Sequence, residues 1–396
     1  MDPAPHRLLI ENARIITPTA AWNPGWMLTE DRQIRWMAPG TPPDFPDSQV
    51  AARIDAVGSR LLPGFIDIHV HGAAGYELMD ASLEGIHAMT AFYARHGVTG
   101  VLPTSWTAPA DELRRVLEIA GQAVRETGNG AHSGAQILGV HMEGPFLNPE
   151  RCGAQDNRFI RTASPEEVLP YLETGLVRLI TLAPEMDGSG WLIDECQRRG
   201  ITVSAGHTSA GYDLLKDLSR RGVRQVTHCF NAMDGLSHRQ PGTAGAALSL
   251  SEISCELIAD NVHIHPAVQK ILVDVKTPAG VILVTDALRG AGLPEGDHDI
   301  GGRVVTFKNG AARLPDGTLA GSILTLERAL QHVTANTGRP VEELWPVTSL
   351  NAARALGISA RKGSLEVGKD ADLVLLDDAF NVRLTVVEGK IVYRNP

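Results

Sequence analysis

Histidine and acidic residues recur directly after short apolar runs along this chain. His69 and His71 are two positions apart at the end of one such run, and this spacing places both imidazoles on one face of a strand. Later runs are followed, in chain order, by Glu143, His207, His228 and Asp286. Imidazole and carboxylate ligands are typical of zinc or iron sites, and a catalytic site of this kind keeps one position open for water. Magnesium, which prefers oxygen ligands, does not use four histidines.

Each of these residues, taken alone, also has an ordinary structural interpretation. A single histidine at a strand end is more often a hydrogen-bonded or surface residue than a ligand. Asp286 alone would suit a helix N-cap. The set as a whole favours a metal site, because all six residues fall at the carboxyl ends of strands that the pattern assigns to one sheet.

The middle of the chain alternates short buried-type strands with amphipathic helical stretches, which is typical of a parallel α/β fold. Helical patterns run from Leu83 to His96, from Asp111 to Glu126 and from Tyr212 to Gly222. Eight strands are predicted, at residues 64–71, 99–104, 137–143, 178–183, 201–206, 225–230, 255–260 and 281–286. Eight such units predict a (β/α)8 TIM barrel, whose chemistry takes place at the carboxyl ends of its strands. The Gly- and Asp-rich residues 288–321 are interpreted as a hairpin over the barrel mouth.

Both ends of the chain differ from this middle part. Short apolar runs separated by turn residues predict small antiparallel strands at each terminus. Neither terminus is long enough to bury a core alone. We therefore expect residues 1–60 and 359–396 to form one small β-sandwich domain, with the catalytic barrel, residues 61–358, inserted between them.

Composition narrows the range of partners and locations. The net charge of −10 provides no basic field for nucleic acid or an anionic membrane. The four cysteines are scattered and include no Cys-x-x-Cys pair, which favours a reduced protein. The start of the chain lacks the pattern of a signal peptide, and no apolar run reaches the roughly 18 residues of a membrane helix. We expect a cytoplasmic protein without nucleic-acid or membrane partners.

Several motifs resemble a known family. Residues 63–72 resemble the opening strand of the amidohydrolase superfamily, and residues 362–374 resemble its return to the small domain. Narrower segments resemble, in the same order, the N-acetylglucosamine-6-phosphate deacetylase family; they are residues 141–147, 206–208, 227–233, 259–263 and 284–287. The Glu-Gly-Pro at 143–145 and the His-x-x-Asn-Ala-Met at 228–233 are the specific signals. The resemblance covers essentially the whole chain.

The resemblance implies a role for each matching residue. Glu143, His207 and His228 match the principal metal ligands, and Asp286 matches the catalytic acid/base, which can also contact the metal. With His69 and His71 present, a second metal is expected to be possible, so that one or two divalent ions, zinc or iron, bind each subunit. Contacts to the substrate are implied for Ala154, Gln155, Asn231, Ala232, Arg239, His263, Leu319, Ala320 and Gly321.

Two of these positions carry further expectations. Arg239 is expected to reach the neighbouring subunit's site in a homodimer. Gln155 stands where the family commonly has histidine after Gly-Ala. A glutamine can donate an amide hydrogen bond but cannot become cationic, and this departure affects either substrate preference or the group that polarises the amide.

The expected activity is hydrolysis of the acetamide of N-acetyl-D-glucosamine 6-phosphate, giving D-glucosamine 6-phosphate and acetate. One alternative is a deacetylase for N-acetylgalactosamine 6-phosphate or another acylated amine, because the sequence does not separate epimers at one hydroxyl. Another is a non-catalytic scaffold with the same fold. The scaffold is disfavoured, since every expected metal and acid/base position is filled.

Overall fold

The chain begins with strands that do not belong to the barrel. A computed structural model describes residues 6–128, 134–300, 303–308 and 310–395. The first strands are β1 (Arg7–Ile16), β2 (Ala21–Glu30), β3 (Gln33–Pro39), β4 (Ala52–Asp55) and β5 (Arg60–Pro63). Alternate residues of β1 face opposite sides, so that Leu8 and Ile10 join one apolar cluster and Leu9 joins another.

A parallel barrel follows. The next strands are β6 (Phe65–Val70), β7 (Gly72–Ala73), β8 (Tyr76–Glu77), β9 (Val98–Ser105), β10 (Gln136–Ile137), β11 (Val140–Glu143), β12 (Val177–Leu182), β13 (Thr202–Ala205), β14 (Val223–Val226), β15 (Ser254–Ile258) and β16 (Val281–Val284). β7 and β8 pair with each other, and β10 lies beside β9. The others run in parallel in the order β6-β9-β11-β12-β13-β14-β15-β16. Asp286 N donates to His69 O at 2.9 Å and His71 N donates to Ala287 O at 2.9 Å, which closes the barrel between β16 and β6.

Helices occupy most of the connections between barrel strands. They are α1 (Leu83–Arg95), α2 (Ala110–Gly128), α3 (Pro165–Glu173), α4 (Ser189–Arg199), α5 (Tyr212–Arg220), α6 (Gly242–Ser249), α7 (Pro266–Lys276), α8 (Leu326–Thr337), α9 (Val341–Leu344) and α10 (Leu350–Ala355). α1 begins after Ser82, whose side chain accepts a hydrogen bond from Gly85 N, and α4 ends at Gly200, which has a left-handed backbone. The three helical stretches predicted from the sequence correspond to α1, α2 and α5.

The segment after β16 is larger than the predicted hairpin. It forms a three-stranded antiparallel sheet of β17 (Gly296–Ile300), β18 (Arg303–Lys308) and β19 (Ala311–Arg313), here called the mouth sheet. A separate apolar cluster that includes Leu288, Val305 and Phe307 packs beneath it, and Trp106 and Ala154 contact this cluster. The mouth sheet is thereby fixed to the loops that follow the second and third barrel strands.

The chain then returns to its first strands. β20 (Leu373–Leu376), β21 (Val382–Val387) and β22 (Lys390–Arg394) extend the terminal sheet, because β20 pairs antiparallel with β5. The resulting order is β22-β21-β20-β5-β1-β2-β3, with β4 beside β1. Residues from both termini share one buried cluster, among them Leu8, Leu373 and Leu384. The predicted fold class, a (β/α)8 barrel with a small β-sandwich domain built from both termini, is confirmed; the strands of both termini form one 8-stranded sheet.

Candidate metal and substrate site

The predicted site residues follow the barrel strands in a regular way. Glu143 is the last residue of β11. His207, His228 and Asp286 each lie two residues beyond the end of β13, β14 and β16, where the sequence analysis had extended those strands by one to four residues. All three have positive φ, of 48°, 29° and 48°. Such backbone is uncommon for residues other than glycine and clusters at functional sites. The left-handed turn follows each strand at the barrel mouth, where the three side chains line one cavity.

The glycine of the Glu-Gly-Pro motif is required by local packing. Gly144 has a φ of +81°, which L side chains rarely adopt. A Cβ added there would lie 2.4 Å from Thr107 Oγ1. Only glycine therefore allows the chain to turn away immediately after Glu143.

Glu143 is at the centre of the cluster and is 2 % exposed. Its Oε1 lies 3.0 Å from His207 Nε2 and 3.1 Å from His228 Nε2. Its Oε2 lies 3.2 Å from His71 Nε2. Burial raises the pKa of Glu143, but the neighbouring imidazoles outweigh this and hold the pKa well below its ordinary value. Glu143 is therefore an anion that faces two groups of histidines.

In His69 and His207, the Nδ1 atom, which points away from the cluster, makes a hydrogen bond. His69 Nδ1 donates to Glu256 Oε2 at 3.0 Å, and His207 Nδ1 donates to the Arg151 carbonyl at 2.9 Å. A donor at Nδ1 leaves the lone pair of a neutral imidazole on Nε2. Both Nε2 atoms face the cluster, which is the orientation that carboxylate or carbonyl partners impose on metal-binding histidines.

The donor set fits a divalent metal ion. Two groups have ligand atoms close enough to share an ion, His69–His71–Glu143 and Glu143–His207–His228. The Nε2 atoms of His207 and His228 approach each other to 3.1 Å, and both also lie within 3.1 Å of Glu143 Oε1. Within the described part of the chain, Nε2 of His69 is buried with no well-formed hydrogen bond. A cation between these atoms would satisfy all of them.

Asp286 lies on the other side of the His69–His71 pair. Its Oδ1 is 3.2 Å from His71 Nε2 and 3.5 Å from His69 Nε2. Burial raises the pKa of Asp286, yet the charges of His69 and His71 outweigh this effect and keep the pKa below its ordinary value. Asp286 is therefore a carboxylate at neutral pH, the form that a general base requires.

Glu256 is a functional residue that the sequence analysis did not select. It lies inside β15, accepts a hydrogen bond from Gln225 Nε2 at 2.5 Å and accepts another from His228 N at 3.1 Å, in addition to its contact with His69. A fully buried carboxylate in a barrel strand is rare unless it is paired. A charged residue within the apolar run 253–259 was the available signal.

A cavity of about 340 Å³ opens above the cluster and is called the catalytic cavity below. It contains most residues for which a substrate contact was predicted; they are Ala154, Gln155, Asn231, Ala232, His263, Leu319 and Gly321, together with His71, Glu143, His207, His228 and Asp286. His69 lies below its floor and is fully buried. Ala320 does not line this cavity, because its side chain packs into the cluster under the mouth sheet. Arg239 is exposed on the loop before α6 and does not line it either.

His263 is held in place on the β15 side of the catalytic cavity. Its Nδ1 donates to Asp260 Oδ2 at 2.6 Å, while Asp260 Oδ1 accepts hydrogen bonds from the backbone N–H groups of Val262 and His263, both at 2.8 Å. Burial lowers the pKa of His263, but Asp260 outweighs this and raises the pKa above its ordinary value. The ring is suited to donating to an anionic group.

Gln155 has one possible amide orientation. Its Oε1 accepts a hydrogen bond from Thr107 N at 2.7 Å, so its Nε2 faces Glu143 and donates to Oε2 at 2.6 Å. Gln155 therefore presents a fixed, neutral donor to the catalytic cavity beside the metal cluster.

Trp106 and Arg313 also line the catalytic cavity and were not predicted. Trp106 follows β9, and its ring stacks on His71 with centroids 3.8 Å apart and planes 10° apart. Arg313 reaches the cavity from β19, and its Nη1 donates to Gly317 O at 2.9 Å. Neither belongs to a motif with a recognisable spacing, so only the folded structure brings them to the site.

Comparison with known proteins shows what the chain is similar to. The Amidohydrolase family matches residues 60–392. N-acetylglucosamine-6-phosphate deacetylase of Bacillus subtilis is 37 % identical over 388 residues, covering 98 % of this chain and 97 % of the relative. N-acetylgalactosamine-6-phosphate deacetylase of Escherichia coli O157:H7 is 34 % identical over 333 residues, covering 84 % of this chain and 87 % of the relative.

A solved structure is similar over the same length. It is a variant of N-acetyl-D-glucosamine-6-phosphate deacetylase from Mycobacterium smegmatis in complex with N-acetyl-D-glucosamine-6-phosphate. It matches with a TM-score of 0.88 at 30 % identity and covers 98 % of this chain and 99 % of its own. Among the residues that the structure describes, no helix has both the length and the apolar character needed to cross a membrane.

Proposed function

Because the chain belongs to the amidohydrolase family and, within it, to the N-acetylglucosamine-6-phosphate deacetylases, we propose that it hydrolyses the acetamide of N-acetyl-D-glucosamine 6-phosphate. The products are D-glucosamine 6-phosphate and acetate. The observation that carries this proposal is the cluster around Glu143, with Asp286 beside it and a cavity of about 340 Å³ above. This arrangement provides both a metal site and a proton carrier at one place.

The metal is proposed to bind through Glu143, His207 and His228, with His69 and His71 available for a second ion. The mixed imidazole and carboxylate donors favour zinc or iron. When bound, a divalent ion lowers the pKa of water and polarises a carbonyl oxygen.

Asp286 is proposed as the general base and acid. Its Oδ1 is 3.2 Å from His71 Nε2, so it is next to the predicted ligands and at the edge of the catalytic cavity. Its carboxylate takes a proton from the attacking water and returns it to the sugar nitrogen as the carbon–nitrogen bond breaks. Gln155 Nε2 donates a neutral hydrogen bond at the acetamide end, at the position where the family commonly has histidine.

The phosphate is proposed to bind at the opposite end of the catalytic cavity. His263, whose ring is fixed by Asp260, and Arg313 from the mouth sheet both line it there. Asn231 and Ala232 line the neighbouring wall. Contacts to this remote group position the acetamide over the metal cluster.

We further propose a homodimer in which Arg239 completes the phosphate site of the neighbouring subunit. Arg239 is exposed and does not line the cavity of its own chain, and Leu236, three residues earlier, is 63 % exposed. An exposed apolar side chain on the same loop supports a subunit contact. The four cysteines are free thiols, which supports a cytoplasmic location.

N-acetylgalactosamine 6-phosphate is the second candidate substrate, since a deacetylase of that name is 34 % identical to this chain. Both candidates contain the same acetamide and the same phosphate.

One assay tests the function and separates the candidates. Acetate release is measured with metal-loaded protein from N-acetylglucosamine 6-phosphate, N-acetylgalactosamine 6-phosphate and N-acetylglucosamine. Fast release from the first, with a large loss on removing the phosphate, is the expected result. Faster release from the galactosamine compound would favour the second candidate. No release from any of them by protein that contains metal would refute the proposal.

A further inference from the structure

A second, larger cavity lies beside the catalytic cavity. Its volume is about 620 Å³, within the range of about 300–1,000 Å³ that is usual for small-molecule pockets. We call it the side cavity. Its apolar lining includes Met79, Pro109, Phe159, Leu288, Val305 and Leu314. Nothing in the proposed deacetylation of an acetyl group uses this space.

Three residues line both cavities and form a dividing wall between them: Trp106, Ala154 and Gln155. The indole of Trp106 is stacked on His71, and the amide of Gln155 is held by Thr107 N and Glu143. The wall is therefore anchored to the metal cluster on one side and packed against the mouth sheet on the other.

The wall is at the end of the catalytic cavity that faces away from the sugar phosphate. Trp106 follows β9, and Gln155 lies on the loop after β11, the second and third strands of the barrel. Of the residues proposed for the sugar-phosphate end, Asn231 and Ala232 follow β14 and His263 follows β15, the sixth and seventh strands, whereas Arg313 reaches the cavity from the mouth sheet. In a barrel of eight strands these pairs lie across from each other, with the metal cluster between them. A substrate held at its phosphate therefore directs its acyl group towards the wall.

We propose that the dividing wall sets the length of the acyl group, with Trp106 as the specificity-determining residue. The wall admits acetyl and excludes longer linear acyl chains, and the side cavity behind it accommodates those chains once Trp106 is made small. This inference rests on the proposed function, which places the acyl group at the wall.

The charges of the side cavity disfavour an anionic tail, because its lining has four carboxylates and two arginines. Arg289 Nη2 lies 2.9 Å from Asp80 Oδ1 and 3.4 Å from Glu77 Oε2. Arg158 Nη2 lies 2.6 Å from Asp156 Oδ2. Among the described lining residues, both arginines are thus already paired with carboxylates. An aliphatic acyl chain suits such a lining better than one that ends in an anion.

The test compares wild-type protein with Trp106→Ala on the N-acetyl, N-butyryl and N-hexanoyl derivatives of glucosamine 6-phosphate. Release of the common product, glucosamine 6-phosphate, is measured, and kcat/KM is obtained for each substrate. We expect the hexanoyl-to-acetyl ratio to rise at least about tenfold in Trp106→Ala, since each methylene accommodated in a pocket is worth about 10-fold or more in discrimination. A purely structural loss would lower all three values together and leave the ratio unchanged.

A second variant separates the side cavity from a general loosening of the site. Met79 lines the side cavity but not the catalytic cavity. Met79→Trp, added to Trp106→Ala, fills the side cavity from its other side and should reverse the gain on the hexanoyl substrate while activity on the acetyl substrate is kept. Metal content is measured in both variants, because Trp106 contacts His71.

Two results would overturn the inference while leaving the deacetylase function in place. One is an unchanged ratio in Trp106→Ala that retains its metal and its acetyl activity. The other is wild-type protein that cleaves the hexanoyl substrate as fast as the acetyl substrate. Wild-type protein that releases nothing from the acetyl substrate would overturn the proposed function and this inference with it.

Discussion

Glu143 belongs to both groups of predicted metal ligands, and its two oxygens have different neighbours. Oε1 faces His207 and His228 and lies 3.5 Å from His69 Nε2, whereas Oε2 lies 3.2 Å from His71 and accepts the amide of Gln155 at 2.6 Å. A carboxylate that bridges two ions commonly offers one oxygen to each. The Gln155 amide therefore competes with a second ion for Oε2, and the chain should favour the His207–His228 group over the His69–His71 group.

Gln155→Leu should raise the metal content. Leucine is similar in size to glutamine but cannot donate to Glu143, so Oε2 becomes free for an ion shared with His69 and His71. We expect the metal-to-protein ratio after zinc loading and dialysis to rise from near one to near two. The ratio is measured by elemental analysis, which does not depend on enzyme activity.

Gln269→Leu is the matched control for this change. Gln269 is a buried glutamine whose amide contacts Asn261 and the Ile264 carbonyl instead of Glu143. Its removal should leave the metal ratio as in the wild type. Equal ratios for the wild type and Gln155→Leu would show that the amide does not limit the second ion.

Among the structural elements, the barrel strands were the most predictable. Each is a short apolar run, and a polar residue directly after such a run indicates a strand end at the barrel mouth, which is how Glu143, His207, His228 and Asp286 were found. Glu256 was missed because it lies within a run, and the sequence does not show which face of a barrel strand points inward. Trp106 and Arg313 were missed because their place at the site depends on how the loop after β9 and the mouth sheet pack, which has no periodic signal.

The third strand of the mouth sheet and the exact ends of the barrel strands also leave no pattern in the sequence. β19 has only three residues, too few for an alternating pattern, and the sequence therefore predicted a hairpin where the structure has three strands. Three predicted strands were too long at their carboxyl ends, because the backbone turns into the left-handed region at residues 207, 228 and 286. Residue types alone do not reveal a positive φ at histidine or aspartate.

The motif at residues 362–374, which leads into β20, contains a buried lysine and two aspartates that pair with it. Lys362 is 5 % exposed, and its Nζ lies 2.6 Å from Asp372 Oδ2 and 3.0 Å from Asp370 Oδ2. Asp372 Oδ1 also accepts a hydrogen bond from Glu388 N at 2.8 Å, which ties β20 to the turn after β21. One buried cation thus holds the return from the barrel to the terminal sheet.

Lys362→Met should destabilise the protein strongly. Methionine fills a similar volume but leaves Asp372 buried without a counter-charge, whereas Asp370 keeps Arg361 Nη2 at 2.7 Å. Breaking a buried pair costs about 3–5 kcal/mol. We expect a lower free energy of unfolding in urea. Lys390 is exposed, so Lys390→Met is the control and should change the free energy of unfolding little. A loss below about 1 kcal/mol for Lys362→Met would mean that water replaces the lysine.

For the whole molecule, charge is the main constraint on binding a sugar phosphate. The net charge of −10 repels a dianion, so a few local cations must capture it. Within one chain, His263 and Arg313 line the catalytic cavity. Arg239 is exposed outside it, and a two-fold dimer would give each cavity one additional guanidinium from the other subunit. The site of a single chain would then lack one of its cations.

Complementation between two defective subunits tests this arrangement. Asp286→Asn should lack turnover, and Arg239→Ala should have a raised KM for phosphorylated substrate. A mixed dimer contains one complete site, with Asp286 from one chain and Arg239 from the other. Co-expression with random pairing should restore about a quarter of wild-type sites at low substrate concentration. If Arg239 serves its own chain, no site is completed and the activity equals the sum of the separate variants. Unphosphorylated substrate, which does not need Arg239, is the control and should show no complementation.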